Sequence, residues 1–360
     1  QFLTASTQYE MKIKAGYNSG CISEFSPISY FTTADECPNI TNFSVSSPKS
    51  TKAVFSWDTT GTYSFLRVKL RVDSISNPTG ADWQNAGGFG VIETSSGEVE
   101  NCKAEIKAMA TMTDKPFGVN LPLLFLKDES MIDLVVEQKI KFVTTSAGDP
   151  SKYIHVLKDA GINVFHAVPN LAGAMKAANA GVDGLVVEGT EGGGFKNPEE
   201  VGLSVLLQSI RRHTDLPMIA AGGIVNGIGM AAAFAAGAEG IQMGTRFVSS
   251  KESPVHDNFK NFILNSDEQG TWILNKKSKP CIRALKTDFT KPIYEAGFME
   301  MSAMAKIQDL YFGGNMNAAP ALAGQSVGLI DNIESVDNII AKTINEFNEV
   351  CKKMPSLAYN

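Results

Sequence analysis

Residues 186–198 read "VVEGTEGGGFKNP", a segment that combines an apolar run, a carboxylate and three consecutive glycines. Two further glycine-containing segments follow later apolar runs: "AAGG", which ends at Gly223, and "QMGT", which ends at Thr245. Glycine lets the backbone approach an anion closely, and backbone N–H groups at strand ends commonly bind phosphate. Glycine also ends helices, so one glycine pair alone indicates little. Two such segments after consecutive strands favour a phosphorylated cofactor.

Polar side chains stand at the ends of similar apolar runs. Asn120 ends "GVN", Glu188 directly follows "GLVV", and Gln242 ends "GIQ". If these runs are parallel strands, their carboxyl ends meet at one mouth, where amide and carboxyl groups can pair with a polar ligand. The alternatives are a turn-forming asparagine at Asn120 and a surface carboxylate at Glu188.

The elements that must position these residues lie between residue 86 and the C-terminus. Stretches with helical spacing separate seven strand-like segments: "GGFGVIE", "KPFGVNL", "KFVTTSAG", "NVFHAVP", "DGLVVEG", "MIAAGG" and "GIQMGTRF". Continuous apolar strands that alternate with helices predict a parallel sheet with helices on its faces. The predicted fold is an α/β, (β/α)8-type barrel in which seven strands, rather than eight, can be counted.

The first 85 residues have another character, rich in Ser and Thr, with short segments that alternate apolar and polar residues. This pattern is typical of a β-sandwich. Residues 1–35 resemble the closing strands of a fibronectin type III domain, with Tyr9 at the tyrosine corner. Residues 36–85 resemble the opening strands of a second such domain, with Trp57 as its core tryptophan. Both aromatic residues are equally explained as ordinary core residues.

Residues 86–360 are predicted to form a single barrel domain, and their motifs resemble a known family. The segments "KPFGVNL", "VTTSAGDP", "EGTEGGG", "IAAGGI", "QMGTRF" and "ESPVH", in this order, resemble the nitronate monooxygenases, or 2-nitropropane dioxygenases, and the related FMN-dependent enoyl-acyl-carrier-protein reductases. The resemblance covers residues 86–340 and implies an FMN-binding barrel. The flavin contacts that it implies are Asn120, Glu188, Gly193, Gly223, Gln242, Met243, Gly244 and Thr245.

The resemblance fails at one position of the glycine loop. Many relatives carry there a histidine that acts as a base toward the nitroalkane, whereas this chain has Phe195, which cannot accept a proton. Among the four histidines, His166 in "NVFHAVP" lies in or just beyond a strand and is the candidate catalytic base. The alternative for His166 is a structural, hydrogen-bonded histidine. We expect His155 and His213 on the surface, and His256 in a loop.

Composition narrows the range of partners. The 360 residues have a net charge of -6, and no run of Lys or Arg indicates binding to nucleic acid or an anionic membrane. No apolar stretch is long enough for a membrane span. The five cysteines fit no metal motif, although Cys21 and Cys37 could form a disulfide between the sandwich segments. We expect a soluble, cytoplasmic protein with a small-molecule substrate, although fibronectin-like segments are more common outside the cell.

The resemblance implies an oxidoreductase that oxidises nitronates with FMN and molecular oxygen. An NAD(P)H-dependent enoyl-acyl-carrier-protein reductase on the same barrel would carry the same motifs. The sequence is also compatible with an adhesion or binding protein whose barrel is inactive, and with a chain fused from two reading frames.

The resemblance implies that the barrel lacks its first strand, because full-length relatives begin with a strand and a helix before "AGGFGVI". The nearest segment that could replace it is "FLRVKLRV", residues 65–72, where Arg67, Lys69 and Arg71 share one face. Burying three unpaired charges would cost several kcal/mol each. We therefore expect this strand to stay with the sandwich and the barrel to remain open, with weaker flavin binding.

Overall fold

The structure is a computed structural model whose described residues fall into two compact units, one within residues 8–58 and the other within residues 90–354. It describes four strands of the first unit and most of the second unit from residue 90: 90–94, 99–112, 116–126, 129–278 and 281–354. Residues 65–72, proposed above as a strand of the sandwich, lie outside the described residues.

The first unit contains two antiparallel strand pairs. Strand β1 (Gln8–Met11) pairs with β2 (Ser29–Thr32), and β3 (Thr41–Lys49) pairs with β4 (Lys52–Asp58). Strands therefore form within the alternating segments. The fibronectin type III resemblance and the boundaries at residues 35 and 85 stay predictions.

The second unit alternates strands and helices. Its strands are β5 (Val91–Ile92), β6 (Gly118–Pro122), β7 (Phe142–Ser146), β8 (Asn163–Val168), β9 (Gly184–Glu188), β10 (Gly194–Lys196), β11 (Met218–Ala221), β12 (Gly240–Gln242), β13 (Thr271–Leu274) and β14 (Cys281–Leu285). Its α-helices are α1 (Val99–Met112), α2 (Ser130–Glu137), α3 (Ile154–Asp159), α4 (Leu171–Ala180), α5 (Leu203–Arg211), α6 (Gly227–Ala235), α7 (Thr245–Val248), α8 (Asp257–Leu264), α9 (Thr290–Ala296), α10 (Ile307–Tyr311) and α11 (Val336–Lys353). Three short 3-10 helices span Pro150–Lys152, Met301–Met304 and Gln325–Leu329.

Local sequence explains where several helices begin and end. Asn170 and Asn226 cap α4 and α6, because each side chain accepts a hydrogen bond from the backbone N–H three residues later. Helix α4 then ends at Gly181, whose φ of 87° is a left-handed conformation that glycine adopts without strain. These caps fix the positions at which the chain leaves each helix for the next strand.

Seven parallel strands form the main sheet, in the order β12-β11-β9-β8-β7-β6-β5. Each strand pairs in register with its neighbours, and within the described residues no strand joins β5 to β12. The sheet is an open, TIM-barrel-like half-barrel. This confirms the predicted barrel that lacks a strand.

The two faces of this sheet differ in what covers them. One face of the sheet packs against the helices and forms one buried core with them. The strand residues of this core include Val119, Leu121, Val143, Leu185, Val187 and Met218, and its helix residues include Val135, Leu157, Leu207 and Ile210. The opposite face, called the inner face below, carries Asn120, Thr144, Phe165, Glu188, Ala221 and Gln242. Cross-strand register joins Asn120, Thr144 and Phe165 in one row, and Glu188, Ala221 and Gln242 in another.

A smaller antiparallel sheet, in the order β10-β14-β13, joins the loop after β9 to residues much later in the chain. A second apolar core lies among the C-terminal elements and includes Phe259, Ile263 and Leu310. In the part of the chain that the structure describes, no helix has both the length and the apolar character of a membrane span.

Candidate active site

Asn120 is fixed at the carboxyl end of β6 by contacts to both neighbouring strands. Its Nδ2 donates a hydrogen bond to Glu93 Oε2 at 2.9 Å, and its Oδ1 accepts one from Thr144 Oγ1 at 2.9 Å. Its backbone oxygen accepts a third, from Thr94 Oγ1 at 2.7 Å. The amide is therefore oriented on the inner face, a position that a loose turn residue would not hold.

Glu188 forms an ion pair with Lys196, a residue that sequence reasoning did not single out. Lys196 Nζ donates to Glu188 Oε1, and the lysine side chain is only 4% exposed while that of Glu188 is 32% exposed. An unpaired buried ammonium group is costly, so the carboxylate compensates the lysine charge. The signal in the sequence was a lysine directly after Phe195, in a loop otherwise built of glycine and polar residues.

The predicted phosphate site consists of glycines, and some of them have no space for a side chain. Gly222 and Gly223 adopt φ values of 94° and 77°, which disfavour other residues. A Cβ atom on Gly222 would lie 2.8 Å from the backbone nitrogen of Gly192. At the end of the neighbouring strand, the space around the Cβ position of Gly244 is open. A phosphate group fits such a cradle, which is closed by backbone on one side and open on the other.

The remaining residues of "QMGT" differ in their surroundings. Gln242 is exposed on the inner face, whereas Met243 packs partly against the main core. Thr245 Oγ1 accepts a hydrogen bond from Gly324 N at 2.9 Å. Its hydroxyl hydrogen remains able to donate to a ligand beside Gly244.

Distant parts of the chain hold the glycine loop after β9 in place. Glu191 accepts a hydrogen bond at 3.0 Å from Leu203 N at the start of α5, and Arg283 Nε donates to Thr190 O at 2.8 Å. A Cβ atom on Gly193 would lie 2.6 Å from the carbonyl carbon of Ala323. Apart from Gly193, none of these positions was predicted, because their partners are remote in sequence.

Phe195 lies in β10, opposite Ile282 of β14. Its ring stacks on that of Phe125, with ring centroids 5.0 Å apart and an interplanar angle of 26°. It also lines a cleft with Glu188, Lys196 and other residues of the same loop. An aromatic ring therefore lies at the position where the resemblance implies a histidine.

His166 lies on the sheet face that packs against the helices, opposite to the inner face. Its register partners are Thr145 and Leu185, and its Nδ1 lies 2.8 Å from Thr145 Oγ1. Burial lowers the pKa of His166 to about 4, while the charge of Asp149 opposes that change. The structure thus separates His166 from Asn120 and Glu188, and its catalytic role stays a prediction.

The other three histidines lie outside this site. His155 and His213 are exposed. His256 caps α8, since its Nδ1 accepts a hydrogen bond from Asn258 N at 3.0 Å.

An open parallel half-barrel, with polar residues and a glycine cradle at the carboxyl ends of its strands, defines the class of TIM-barrel-like enzymes. The nitronate monooxygenase family model matches residues 124–346, more than half of the chain. The chain belongs to the nitronate monooxygenase family, whose members are flavin-dependent oxidoreductases.

Individual relatives add detail to this assignment. FabK from Thermotoga maritima is 36% identical and superposes with a TM-score of 0.72, covering 78% of this chain and 91% of that protein. A nitronate monooxygenase from Paraburkholderia phytofirmans is 26% identical over 334 residues, covering 76% of this chain and 89% of the relative.

A relative from Rhodococcus jostii is named for a different activity. It is a (3aS,4S,5R,7aS)-5-hydroxy-7a-methyl-1-oxo-octahydro-1H-indene-4-carboxyl-CoA dehydrogenase, 35% identical over 215 residues. The match covers 60% of this chain and 60% of the length of that relative.

Proposed function

We propose that this protein is an FMN-dependent oxidoreductase that oxidises nitronates with molecular oxygen. The observation that carries this proposal is Phe195, a residue without a proton acceptor that lines the cleft beside Glu188. A neutral nitroalkane must lose its α-proton before it is oxidised, whereas a nitronate has already lost it. A site without a base at this position suits the preformed anion.

The residues present fit FMN at the inner face. Gly223, Gly244 and Thr245 would bind its phosphate, while Asn120, Glu188 and Gln242 would pair with the ring edge or the ribityl hydroxyls. Gly193 would lie beside it, and Met243 would contribute through its backbone, since its side chain packs partly against the main core. When bound, FMN supplies a two-electron acceptor that molecular oxygen can reoxidise.

The protein's own part is to bind and orient. The hydrogen bonds of Asn120 to Glu93 and Thr144 fix the direction of its amide, and Lys196 fixes one carboxylate oxygen of Glu188. Phe195 places an aromatic ring, stacked on that of Phe125, at one side of the cleft. Such preorganised polar groups in a partly dry site are effective in catalysis.

The cofactor is tested by releasing it with heat and determining its mass. One glycine cradle, and the absence from the sequence of a strand-turn-helix fingerprint for a dinucleotide, favour FMN over FAD. Recovery of FAD would contradict the proposal.

The substrate is tested by comparing nitroalkanes with their nitronates. We expect turnover of the nitronate and little turnover of the neutral nitroalkane. Phe195→His should raise turnover of the nitroalkane, with about 100-fold as the usual scale for a general base.

His166→Ala should lower nitroalkane turnover selectively if His166 is the base. Equal effects of His166→Ala on both substrates would show that it only packs.

A second candidate function is favoured by the two relatives with the highest identities above. One is named as the dehydrogenase of an indene-carboxyl-CoA and the other is FabK. An enoyl or acyl thioester would then be the substrate, with NAD(P)H as the electron donor in the reductive direction. Anaerobic addition of NAD(P)H or of a nitronate to the flavin-loaded protein separates the two candidates, because only the true reductant bleaches the flavin.

A further inference from the structure

The ring contact between Phe125 and Phe195 spans the mouth of the half-barrel. Phe125 follows β6 and Phe195 follows β9, and these strands are separated in the sheet by β7 and β8. A contact between the two loops must therefore pass over the carboxyl ends of the intervening strands. The stacked pair, at 5.0 Å between centroids, forms a bridge above the inner face.

The backbone holds both rings in position. Phe125 N donates to Pro122 O at 2.8 Å, and the preceding Leu124 N donates to Ala147 O at 2.8 Å. Phe195 is held by the pairing of β10 with β14. The bridge thus belongs to ordered structure on both sides.

The bridge leaves apolar surface uncovered at the mouth. Phe125 is 39% exposed, Phe195 is 36% exposed, and the adjacent Leu124, at 75%, is the most exposed large apolar residue among the described residues. A single exposed apolar residue is normal on any protein surface. Exposed apolar residues grouped at the entrance of a site are a feature of ligand-binding grooves.

The charged residues near the bridge are compatible with an uncharged ligand group. The charges of Glu188 and Lys196 compensate each other, and Glu199 is the other charged residue that lines the cleft. Pro169 and Val201 add apolar surface to the cleft. Neither ring of the bridge can donate or accept a proton.

We propose that the Phe125–Phe195 bridge binds an extended alkyl or alicyclic group of the substrate, and so selects substrates with a large apolar portion. This inference rests on the proposed function, because it concerns the substrate of that same site. The bridge acts on affinity for the apolar portion, while the reacting group lies at the inner face.

The test uses n-alkyl carboxylates from propanoate to decanoate, which are planar anions like nitronates but are not oxidised. Their binding to the flavin-loaded protein is measured by calorimetry. Burial of each methylene should tighten binding by about fourfold over part of the series. Phe125→Ala and Phe195→Ala should each reduce this gain to less than about twofold.

Two further variants keep the test interpretable. Phe298→Ala removes a ring that is also exposed but lies outside the site, and it should leave the dependence on chain length unchanged. Phe195→Leu keeps an apolar side chain and should retain most of the dependence. A series in which the wild-type affinity does not change with chain length would overturn the inference, as would alanine variants that retain the full dependence.

The same protein separates this inference from the proposed function. Dependence on chain length that disappears in the alanine variants supports the bridge even when no nitronate is turned over. Conversely, nitronate turnover together with carboxylate affinities that do not change with chain length would support the proposed function and contradict the binding role of the bridge.

Discussion

At the scale of single residues, Glu188 and Lys196 share one ion pair but differ in their access to water. Lys196 is almost fully buried, whereas about one third of the Glu188 side chain is exposed. A buried charge that loses its partner is far more costly than a charge that water can reach. The two halves of the pair should therefore differ in their contribution to stability.

We expect Glu188→Gln to lower the free energy of unfolding by about 3 kcal/mol, because it leaves the buried ammonium group of Lys196 uncompensated. Lys196→Met should cost only about 1 kcal/mol, since water can solvate the remaining carboxylate. Urea denaturation of the flavin-free protein measures both. The double variant should resemble Lys196→Met alone, and equal losses in the two single variants would contradict this interpretation.

The buried imidazole of His166 predicts a dependence of stability on pH. Its pKa is lowered to about 4, chiefly by burial, against about 6.5 in an unfolded chain. Between these values the unfolded chain binds more protons, so the contribution is complete above pH 6.5 and is lost as the pH falls toward 4. We expect a loss of about 2 kcal/mol between pH 7.5 and pH 5.

Urea denaturation at these two pH values checks the prediction. His166→Asn should remove most of the difference, whereas His213→Gln, which changes an exposed histidine, should retain it. The nearby carboxyl group of Asp149 does not interfere, because its pKa is lowered to about 2 by hydrogen bonds from Lys176 and Ser151. If His166→Asn retained the full pH dependence, another group would be responsible.

At the scale of elements, the sequence predicted the strands of the main sheet better than the faces of their residues. Buried apolar runs identify β6 to β9 directly, since each is followed by a helical segment. In β8, however, Val164, His166 and Val168 alternate with Phe165 and Ala167. Both sets are largely apolar, so alternation could not tell which face His166 occupies. Packing against the helices decides it.

Strand β10 could not be predicted for a different reason. Its sequence, "GFK", has no local strand signal, and it pairs with β14, which comes much later in the chain. Lys196 belongs to this strand, so its burial could not be predicted either. Local patterns predict elements with local causes, whereas this loop takes its shape from remote partners.

The glycine cradle yields a prediction with a matched control. Gly222→Ala should lower the free energy of unfolding by about 3 kcal/mol, since it combines a left-handed backbone with a Cβ atom 2.8 Å from Gly192 N. Gly161 has a φ of 71° but open space around its Cβ position. Gly161→Ala should therefore cost only about 1 kcal/mol.

Flavin binding separates the two glycine variants further. Gly222→Ala should weaken FMN binding about tenfold or more, because a shift of the loop moves the backbone beside the phosphate. Gly161→Ala should leave FMN affinity unchanged. Similar FMN affinity for wild type and Gly222→Ala would show that the cradle does not bind the cofactor.

At the scale of the whole molecule, the main feature is an open sheet. Within the described residues β5 and β12 are its two edge strands, so one side of the inner face lacks the wall that a closed barrel provides. We expect a cofactor on this face to stay in contact with water on that side. Its polar contacts then compete with hydration.

We therefore expect the FMN dissociation constant to exceed about 1 μM, a free energy of binding weaker than about 8 kcal/mol. Titration of the flavin-free chain with FMN, followed by flavin fluorescence, measures it. A sub-micromolar constant would mean that another part of the chain completes the wall.

The contacts between the glycine loop and the C-terminal half also determine when the cleft can form during protein synthesis. The bond from Arg283 to Thr190 joins residues 93 positions apart, and among the described strands β10 pairs only with β14, which is made much later. Contacts of such long separation are slow to form, because a large loop must close first. On the ribosome, the first strands of the sheet can assemble while the cleft beside Phe195 is still unformed. Truncation before β14 should therefore leave helices and sheet but no organised substrate pocket.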